Sequence, residues 1–131
     1  MNPSVAIVKG ALPPTTESWH VPQAGALLCF EGCVRPAEDG RPIDGLHYQV
    51  YEPMAWRELE KLGRETMIRF ELLALRVQHS RGDVRAGECS FRLQIASKHR
   101  KEGLAAMDWF IDRMKQDVPI WKLPFGSAAL S

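Results

Sequence analysis

The chain has 131 residues, 45% of them hydrophobic, which suffices for one domain with a buried core. Its formal net charge of +1, from 17 Lys and Arg against 16 Asp and Glu, excludes the broad basic field of a protein that binds duplex nucleic acid. No apolar stretch approaches the ~20 residues that cross a bilayer, and Met1 to Val8 lacks the pattern of a secretory signal, so we expect a cytoplasmic protein.

Two strands are predicted in the first third of the chain. Residues 1–24 are rich in proline and contain one short apolar run, Val5 to Val8, that predicts an edge strand. Ala26 to Val34 reads as a continuous apolar strand, and it is stopped by Pro36 and the polar loop 38–42.

A third strand and a long helix follow this loop. Leu46 to Tyr51 alternates well enough to be a strand, and Pro53 then suits the first turn of a helix that continues to about Phe70. A period of 3.6 residues predicts the buried face of this helix: Ala55, Leu59, Leu62 and Thr66. We interpret this helix as a scaffold element.

Two further strands are predicted before residue 98. Leu73, Leu75 and Val77 alternate with polar residues, and we expect a turn centred on Arg81, Gly82 and Asp83. In the next strand, alternate residues are predicted to face the core: Cys89, Phe91, Leu93 and Ile95. The residues between them are predicted to face water: Glu88, Ser90, Arg92 and Gln94.

A second amphipathic helix is predicted from about Arg100 to Asp117. Its apolar stripe is predicted from four residues: Leu104, Met107, Ile111 and Met114. Pro119 ends the helix and leaves an extended tail. The order β-β-β-α-β-β-α indicates an α+β fold, with residues 1–131 forming a single domain whose short C-terminal tail spans 123–131.

Three cysteines are an odd, sparse set that makes a poor disulfide framework. Cys29 and Cys33 lie four apart in a strand and so share a face, whereas Cys89 is distant in sequence. Neither a C-x-x-C pair nor the close His and Cys spacing of a zinc site is present. We therefore expect three buried structural thiols and no metal site, with metal ligation as the minor alternative.

The junction between the last predicted strand and the second helix is strongly basic. Free amide N–H groups and the helix dipole attract anions to a helix N-terminus, yet Lys98, His99, Arg100 and Lys101 stand there. A bound phosphate or carboxylate would supply the missing negative charge. The alternative is a solvated charge cluster with Ser97 as an ordinary N-cap.

Three other basic residues form a second candidate group. Lys115 borders the apolar face near the end of the second helix, and Lys122 follows Trp121 in the tail. A short connection stiffened by Pro119 can bring both ammonium groups to one pocket, and Arg35 could reach the same region. Alternatively, Lys115 only complements the helix dipole and Lys122 is a surface residue.

Five motifs occur in order along the chain. They are Gly25 to Arg35, Leu46-His47-Tyr48 with Tyr51 and Met54-Ala55, His79 with Gly82 and Gly87-Glu88, Ser97 to Arg100, and Lys115 with Pro119 to Lys122. Together they resemble the molybdopterin synthase large (catalytic) subunit family. The resemblance runs from about Gly25 to Lys122 and implies an α/β hammerhead-like fold, with two main helices on a mostly antiparallel sheet.

The resemblance implies a sulfurtransferase with no cofactor of its own. A small ubiquitin-like partner subunit would donate sulfur from the thiocarboxylate at its Gly-Gly C-terminus to cyclic pyranopterin monophosphate, which becomes the dithiolene molybdopterin. By family role, Arg35, His99 and Arg100 would hold the substrate phosphate, and Lys115 and Lys122 would line the pocket for the partner's tail. The implied assembly is a homodimer within a heterotetramer.

Two alternatives remain open. Leu123 and Pro124 stand where the family usually has a further Lys and Glu and a longer tail, so a non-catalytic member that binds pterin or partner is possible. For the same reason Lys115 is expected to matter more than Lys122. A small nucleic-acid-binding module would use Tyr48 and Phe91 as platforms, although Phe91 shares the apolar face of its strand and is better explained as core.

Overall fold

The computed structural model describes residues 2–15 and 18–126. Within them the elements are β1 Ser4–Lys9, β2 Ala26–Cys33, β3 Ala37–Glu38, β4 Arg41–Pro42, β5 Gly45–Val50, α1 Met54–Arg69, β6 Ala74–Arg85, β7 Cys89–Ser97, α2 Arg100–Asp117 and β8 Ile120–Phe125. Neither of these helices is long and apolar enough to cross a membrane.

Six of the strands form one sheet, in the order β2-β7-β6-β5-β8 with β1 attached to β6. The pairing of β1 with β6 is parallel, and every other pairing in this sheet is antiparallel. β3 and β4 form a separate two-stranded ribbon inside the predicted polar loop. The predicted α+β class with a mostly antiparallel sheet is confirmed.

Both predicted helices are present within one residue of their expected ends. The buried face of α1 contains all four of the residues that its period predicts. In α2, however, Leu104 is 53% exposed, and the buried stripe is Gly103, Ala106, Met107, Phe110 and Met114. Gly103 explains why this face of α2, rather than the predicted one, is buried. A Cβ at this position would lie 2.5 Å from Leu28 Cδ1 and 2.7 Å from Ser97 Oγ. Because glycine has no Cβ, α2 can lie close against β2 and β7.

The predicted turn at Arg81 to Asp83 is wrong, because β6 continues through it to Arg85. Its pairing with β1 ends at Arg81, and its pairing with β5 begins at Gly82, opposite Tyr48. Gly82 has a φ of +78°, which few residues other than glycine adopt, so the strand bends as it changes partners. The chain reverses later, at Gly87.

The predicted solvent face of β7 is largely buried. Arg92 is only 2% exposed, because the proline-rich N-terminal segment crosses it. The guanidinium donates to Pro13 O at 2.9 Å, Gln78 Oε1 at 3.1 Å and Glu31 Oε2 at 2.8 Å. The N-terminal segment is thus pinned to the sheet, and β1 is the predicted strand from Val5 to Val8.

The expectation of three buried structural thiols is wrong. Cys29 and Cys33 are exposed and Cys89 is half-buried, because β2 lies at the edge of the sheet. A bulge places Cys89 opposite Cys33 and leaves Ser90 without a partner residue in β2. Because the bulge interrupts the alternation of β7, the Cys89 side chain does not face the core as predicted. Partial burial still raises the pKa of the Cys89 and Cys29 thiols above their ordinary value.

The predicted extended tail is a paired strand. β8 runs antiparallel to β5, with Lys122 opposite Tyr48 and Trp121 opposite Gln49. The first three residues of the predicted tail, 123–125, belong to this strand, and 127–131 lie outside the described residues. Lys122 is therefore held by the sheet.

Candidate functional site

A cavity of about 420 Å³ opens where the last turns of α2 lie against the sheet. Residues of β2, β5, β6, β7 and β8 complete its walls. Its polar lining comes from five side chains: Tyr48, His79, Ser90, Lys115 and Lys122. We call it the lysine cavity. The rest of the wall is aromatic or aliphatic.

The two lysines reach this cavity from rigid elements. Lys115 follows the buried Met114 in α2, and Lys122 lies in β8 seven residues later. Lys122 Nζ lies 3.1 Å from Glu38 Oε1, so an ion pair also fixes its side chain. The structure thus brings together the two lysines that the sequence placed in one pocket. It also removes the reason for ranking Lys122 below Lys115, because neither is on a loose tail.

Three polar residues of the cavity were not predicted as site residues from the sequence: Tyr48, His79 and Ser90. Tyr48 Oη and Ser90 Oγ are 2.8 Å apart and hydrogen-bonded. The His79 ring contacts Tyr48 edge-on at a centroid distance of 5.1 Å, and it lies 5.9 Å from the ring of Phe91. Tyr48 and His79 did occur in the family-like motifs, which is the one signal that could have marked them.

The electrostatics of the cavity favour an anion. It has two ammonium groups in its wall, and no carboxylate lines it among the described residues; Glu38, which pairs with Lys122, lies outside the lining. Positive charge beside apolar walls binds an anionic group and stabilises negative charge that develops in a reaction there. Within residues 2–15 and 18–126, no group of three or more His, Cys, Asp or Glu side chains could hold a metal ion.

The other three predicted site residues do not line this cavity. Arg35 is exposed and lies between β2 and the β3–β4 ribbon. The ion pair of Glu38 with Lys122 holds this ribbon near the cavity, so Arg35 lies at the cavity end of the molecule. His99 is the N-cap of α2 and Arg100 is its first residue, both exposed. His99 Nδ1 lies 3.5 Å from Glu102 Oε2, and its carbonyl accepts a hydrogen bond from Ser97 Oγ at 2.6 Å.

The five predicted site residues form two groups at opposite ends of the molecule. Arg100 and Lys115 are separated by fifteen residues of helix, which span about 22 Å at ~1.5 Å each. The β2–β7 pair gives a similar length, because Cys33 and Ala26 are about 23 Å apart at ~3.3 Å per residue. Within one chain, Lys115 and Lys122 therefore do not share a pocket with His99 and Arg100.

Two solved bacterial structures illustrate the similarity of this architecture to known proteins. A molybdopterin synthase from Staphylococcus aureus superposes with a TM-score of 0.81 at 29% identity, covering 91% of this chain and 88% of that one. A complex of subunits 1 and 2 of molybdopterin-converting factor from Helicobacter pylori gives a TM-score of 0.72 at 29% identity, covering 92% and 83%. The predicted arrangement of two helices on a mostly antiparallel sheet is that of these proteins.

Sequence comparison agrees with this structural likeness. The molybdopterin synthase catalytic subunit of Pyrococcus abyssi is 34% identical over 98 residues, which cover 75% of this chain. The chain spans 66% of that relative's own length. The model of the MoaE protein family matches residues 11–117, which include both helices and most of the sheet. On this match, the chain belongs to the MoaE protein family.

Proposed function

We propose that this chain is the catalytic subunit of a molybdopterin synthase. It transfers sulfur from the C-terminal thiocarboxylate of a small ubiquitin-like carrier subunit to cyclic pyranopterin monophosphate, forming the dithiolene of molybdopterin. The observation that carries the proposal is the lysine cavity, where Lys115 and Lys122 converge at the positions that the family motif predicts. The Helicobacter pylori complex of two subunits supports a small partner.

The cavity suits the end of such a carrier. A Gly-Gly tail has no side chains to obstruct it, so its thiocarboxylate can lead it into the cavity between α2 and the sheet. The two ammonium groups attract this anion. When the thiocarboxylate sulfur attacks the pterin side chain and an ester oxygen of the cyclic phosphate leaves, the same ammonium groups stabilise the negative charge that develops. Both lysines are exposed, and α2 and β8 hold them at the cavity, so these charges are in place before the reaction begins.

The phosphate site is proposed to need two copies of the chain. Arg35 lies at the cavity end, and His99 and Arg100 lie about 22 Å away along α2. A homodimer in which the α2 N-terminus of one copy faces the cavity of the other would bring all five cations to one substrate. His99 and Arg100 are both exposed, so a second copy can reach them. With one carrier bound to each copy, the assembly is a heterotetramer.

The cytoplasm is the proposed site of action. All three cysteines are free thiols, including Cys33 and Cys89, which stand opposite each other in paired strands. Free thiols in this arrangement suit a reducing compartment.

Neither alternative from the sequence is favoured by an observation. The hypothesis of a non-catalytic family member assumed that the unusual tail leaves Lys122 unsupported. In the structure, β8 and the ion pair with Glu38 hold this residue. The nucleic-acid reading needs exposed aromatic platforms. Phe91 is only 6% exposed, and the hydroxyl of Tyr48 is hydrogen-bonded to Ser90.

The test is single-turnover sulfur transfer with purified chain, thiocarboxylated carrier and the pterin precursor. Wild-type chain should form the dithiolene product. Lys115→Ala and Lys122→Ala should each slow transfer by about 10²–10³, which is the usual loss when one preorganised electrostatic group is removed. Lys9→Ala is the matched control, because Lys9 is exposed on β1 and does not line the cavity. Near-normal rates for both cavity variants would contradict the proposal.

A further inference from the structure

Among the residues that the structure describes, His79 is the one titratable side chain that is both buried and part of the lysine cavity. It is 5% exposed, lies in β6 and shares the cavity wall with Lys115 and Lys122. Its Nδ1 atom is 2.7 Å from the carbonyl oxygen of Ser80. A carbonyl oxygen can only accept, so Nδ1 carries a hydrogen and donates it.

This hydrogen bond fixes the tautomer of the neutral ring. With the hydrogen on Nδ1, the other nitrogen, Nε2, keeps a free lone pair. Nε2 has no hydrogen-bond partner among the described residues. In the same residues, Ser80 Oγ is the only side-chain nitrogen or oxygen that is both buried from solvent and without a partner. An unpartnered Nε2 must therefore be accessible, and it keeps access to the cavity. Burial also lowers the pKa of His79, so the ring is neutral near pH 7.

The proposed reaction contains one step that needs a proton acceptor at this place. A thiocarboxylate is already an anion, so its attack on the pterin needs no base. The attack leaves the carrier joined to the pterin through an acyl–sulfur bond, which water must cleave before the carrier can leave. Water becomes a competent nucleophile when a base takes its proton. Lys115 and Lys122 are cations with no lone pair to offer, and the hydroxyl of Tyr48 is engaged with Ser90.

We infer that His79 is the general base that releases the carrier, a role that rests on the proposed function. Water attacks the acyl carbon, and its oxygen forms the new C–O bond while one proton passes to Nε2. The carbon–sulfur bond of the acyl group breaks, and its electron pair stays on sulfur as the pterin thiolate. The carrier leaves with a C-terminal carboxyl group, and the imidazolium returns its proton to solvent. The lysine ammonium groups stabilise the oxyanion that forms in between.

The experiment follows intact carrier by mass spectrometry during single turnover, so that formation and decay of the carrier–pterin adduct are measured separately. His79→Asn places an amide N–H near Nδ1, where it can still donate to the Ser80 carbonyl, and removes Nε2. We expect this variant to form the adduct within threefold of the wild-type rate and to hydrolyse it about 10²-fold or more slowly, in line with the loss of a general base. Hydroxylamine, which cleaves acyl–sulfur bonds without a base, should then release the carrier.

His47→Asn is the matched control. His47 is exposed on β5, pairs with Asp83 and does not line the cavity, so adduct decay should stay unchanged. Decay in His79→Asn within threefold of wild type would overturn the inference. Loss of adduct formation in a folded His79→Asn variant would also overturn it, because His79 would then serve binding or packing.

A second readout uses the wild-type chain alone. The other titratable groups of the cavity wall are Lys115 from α2, Lys122 from β8 and Tyr48 from β5, whose ring contacts His79, and no acid lines the cavity among the described residues. The rate of adduct decay should fall tenfold per pH unit below an inflection under pH 6.5, while adduct formation shows no such inflection. A flat decay profile would overturn the inference and leave the synthase activity intact. If wild-type chain forms neither adduct nor product, the proposed function itself fails.

Discussion

The buried ion pair of Glu31 with Arg92 leads to an asymmetric stability prediction. Glu31 looks like a surface residue, with 45% of its side chain exposed, whereas Arg92 is almost completely buried. Replacing Glu31 by Ala leaves a buried guanidinium without its counter-ion, for which losses of ~3–5 kcal/mol are typical. Water can reach the vacated side of the pair, so we expect the lower part of this range, about 3 kcal/mol of unfolding free energy.

Arg92→Met should cost less than Glu31→Ala. The carboxylate of Glu31 that remains is half-exposed and can be hydrated. Gln78 Oε1 and Pro13 O each lose one hydrogen bond, at about 1 kcal/mol apiece. The buried Met side chain offsets part of this loss through its apolar surface. We therefore expect about 1–2 kcal/mol for Arg92→Met.

Urea unfolding tests this prediction when it is applied to the two single variants and to the double variant. The double variant should be more stable than the sum of the single losses predicts, because it strands no charge. The unfolding midpoints can be compared directly when the variants have the same m-value, the slope of unfolding free energy against urea concentration. The reverse order of the two single variants, or simple additivity, would refute the argument that the stranded guanidinium dominates.

Three further predictions concern α2 and the cavity. Gly103→Ala should lower the unfolding free energy by up to about 2 kcal/mol, since the clash of a Cβ with Leu28 and the buried Ser97 outweighs the ~1 kcal/mol gain in helix propensity; a raised melting temperature would contradict this. Burial lowers the folded-state pKa of His79 below 6.5, so the unfolded chain binds the proton first, and stability should be lost as pH falls below about 6.5. Urea unfolding at pH 5 and pH 7.5 checks this, and His79→Asn should flatten the difference. Lys115→Arg should recover little of the transfer rate that Lys115→Ala loses, because a guanidinium is larger and directs its hydrogen bonds differently; single-turnover rates near wild type would refute it.

The sequence predicted the elements whose signal is local. The 3.6-residue period of α1 and the alternation of Phe91, Leu93 and Ile95 in β7 are set by neighbouring residues, and both are correct. The burial of Arg92 could not be predicted, because the segment that covers it lies about 80 residues earlier in the chain. Alternation alone assigns such a residue to solvent.

The same distinction explains which site residues were found. Lys115 and Lys122 are seven residues apart and joined by a short connection, so their convergence could be inferred. Tyr48, His79 and Ser90 come from three different strands, and only the sheet register brings them together. The bounds of α2 were predicted correctly as well, so the separation of Arg100 from Lys115 could have been inferred from the sequence at ~1.5 Å per residue.

The most direct test of the account is the stoichiometry of sulfur transfer. A dithiolene holds two sulfur atoms and each carrier donates one, so the purified chain should consume two carrier thiocarboxylates for every pterin dithiolene formed. Quantifying carrier by intact mass and product by its pterin fluorescence after oxidation gives both numbers from one reaction. We expect a ratio of two, and only when this chain is present. Carrier that keeps its sulfur while the pterin precursor remains unchanged would contradict it.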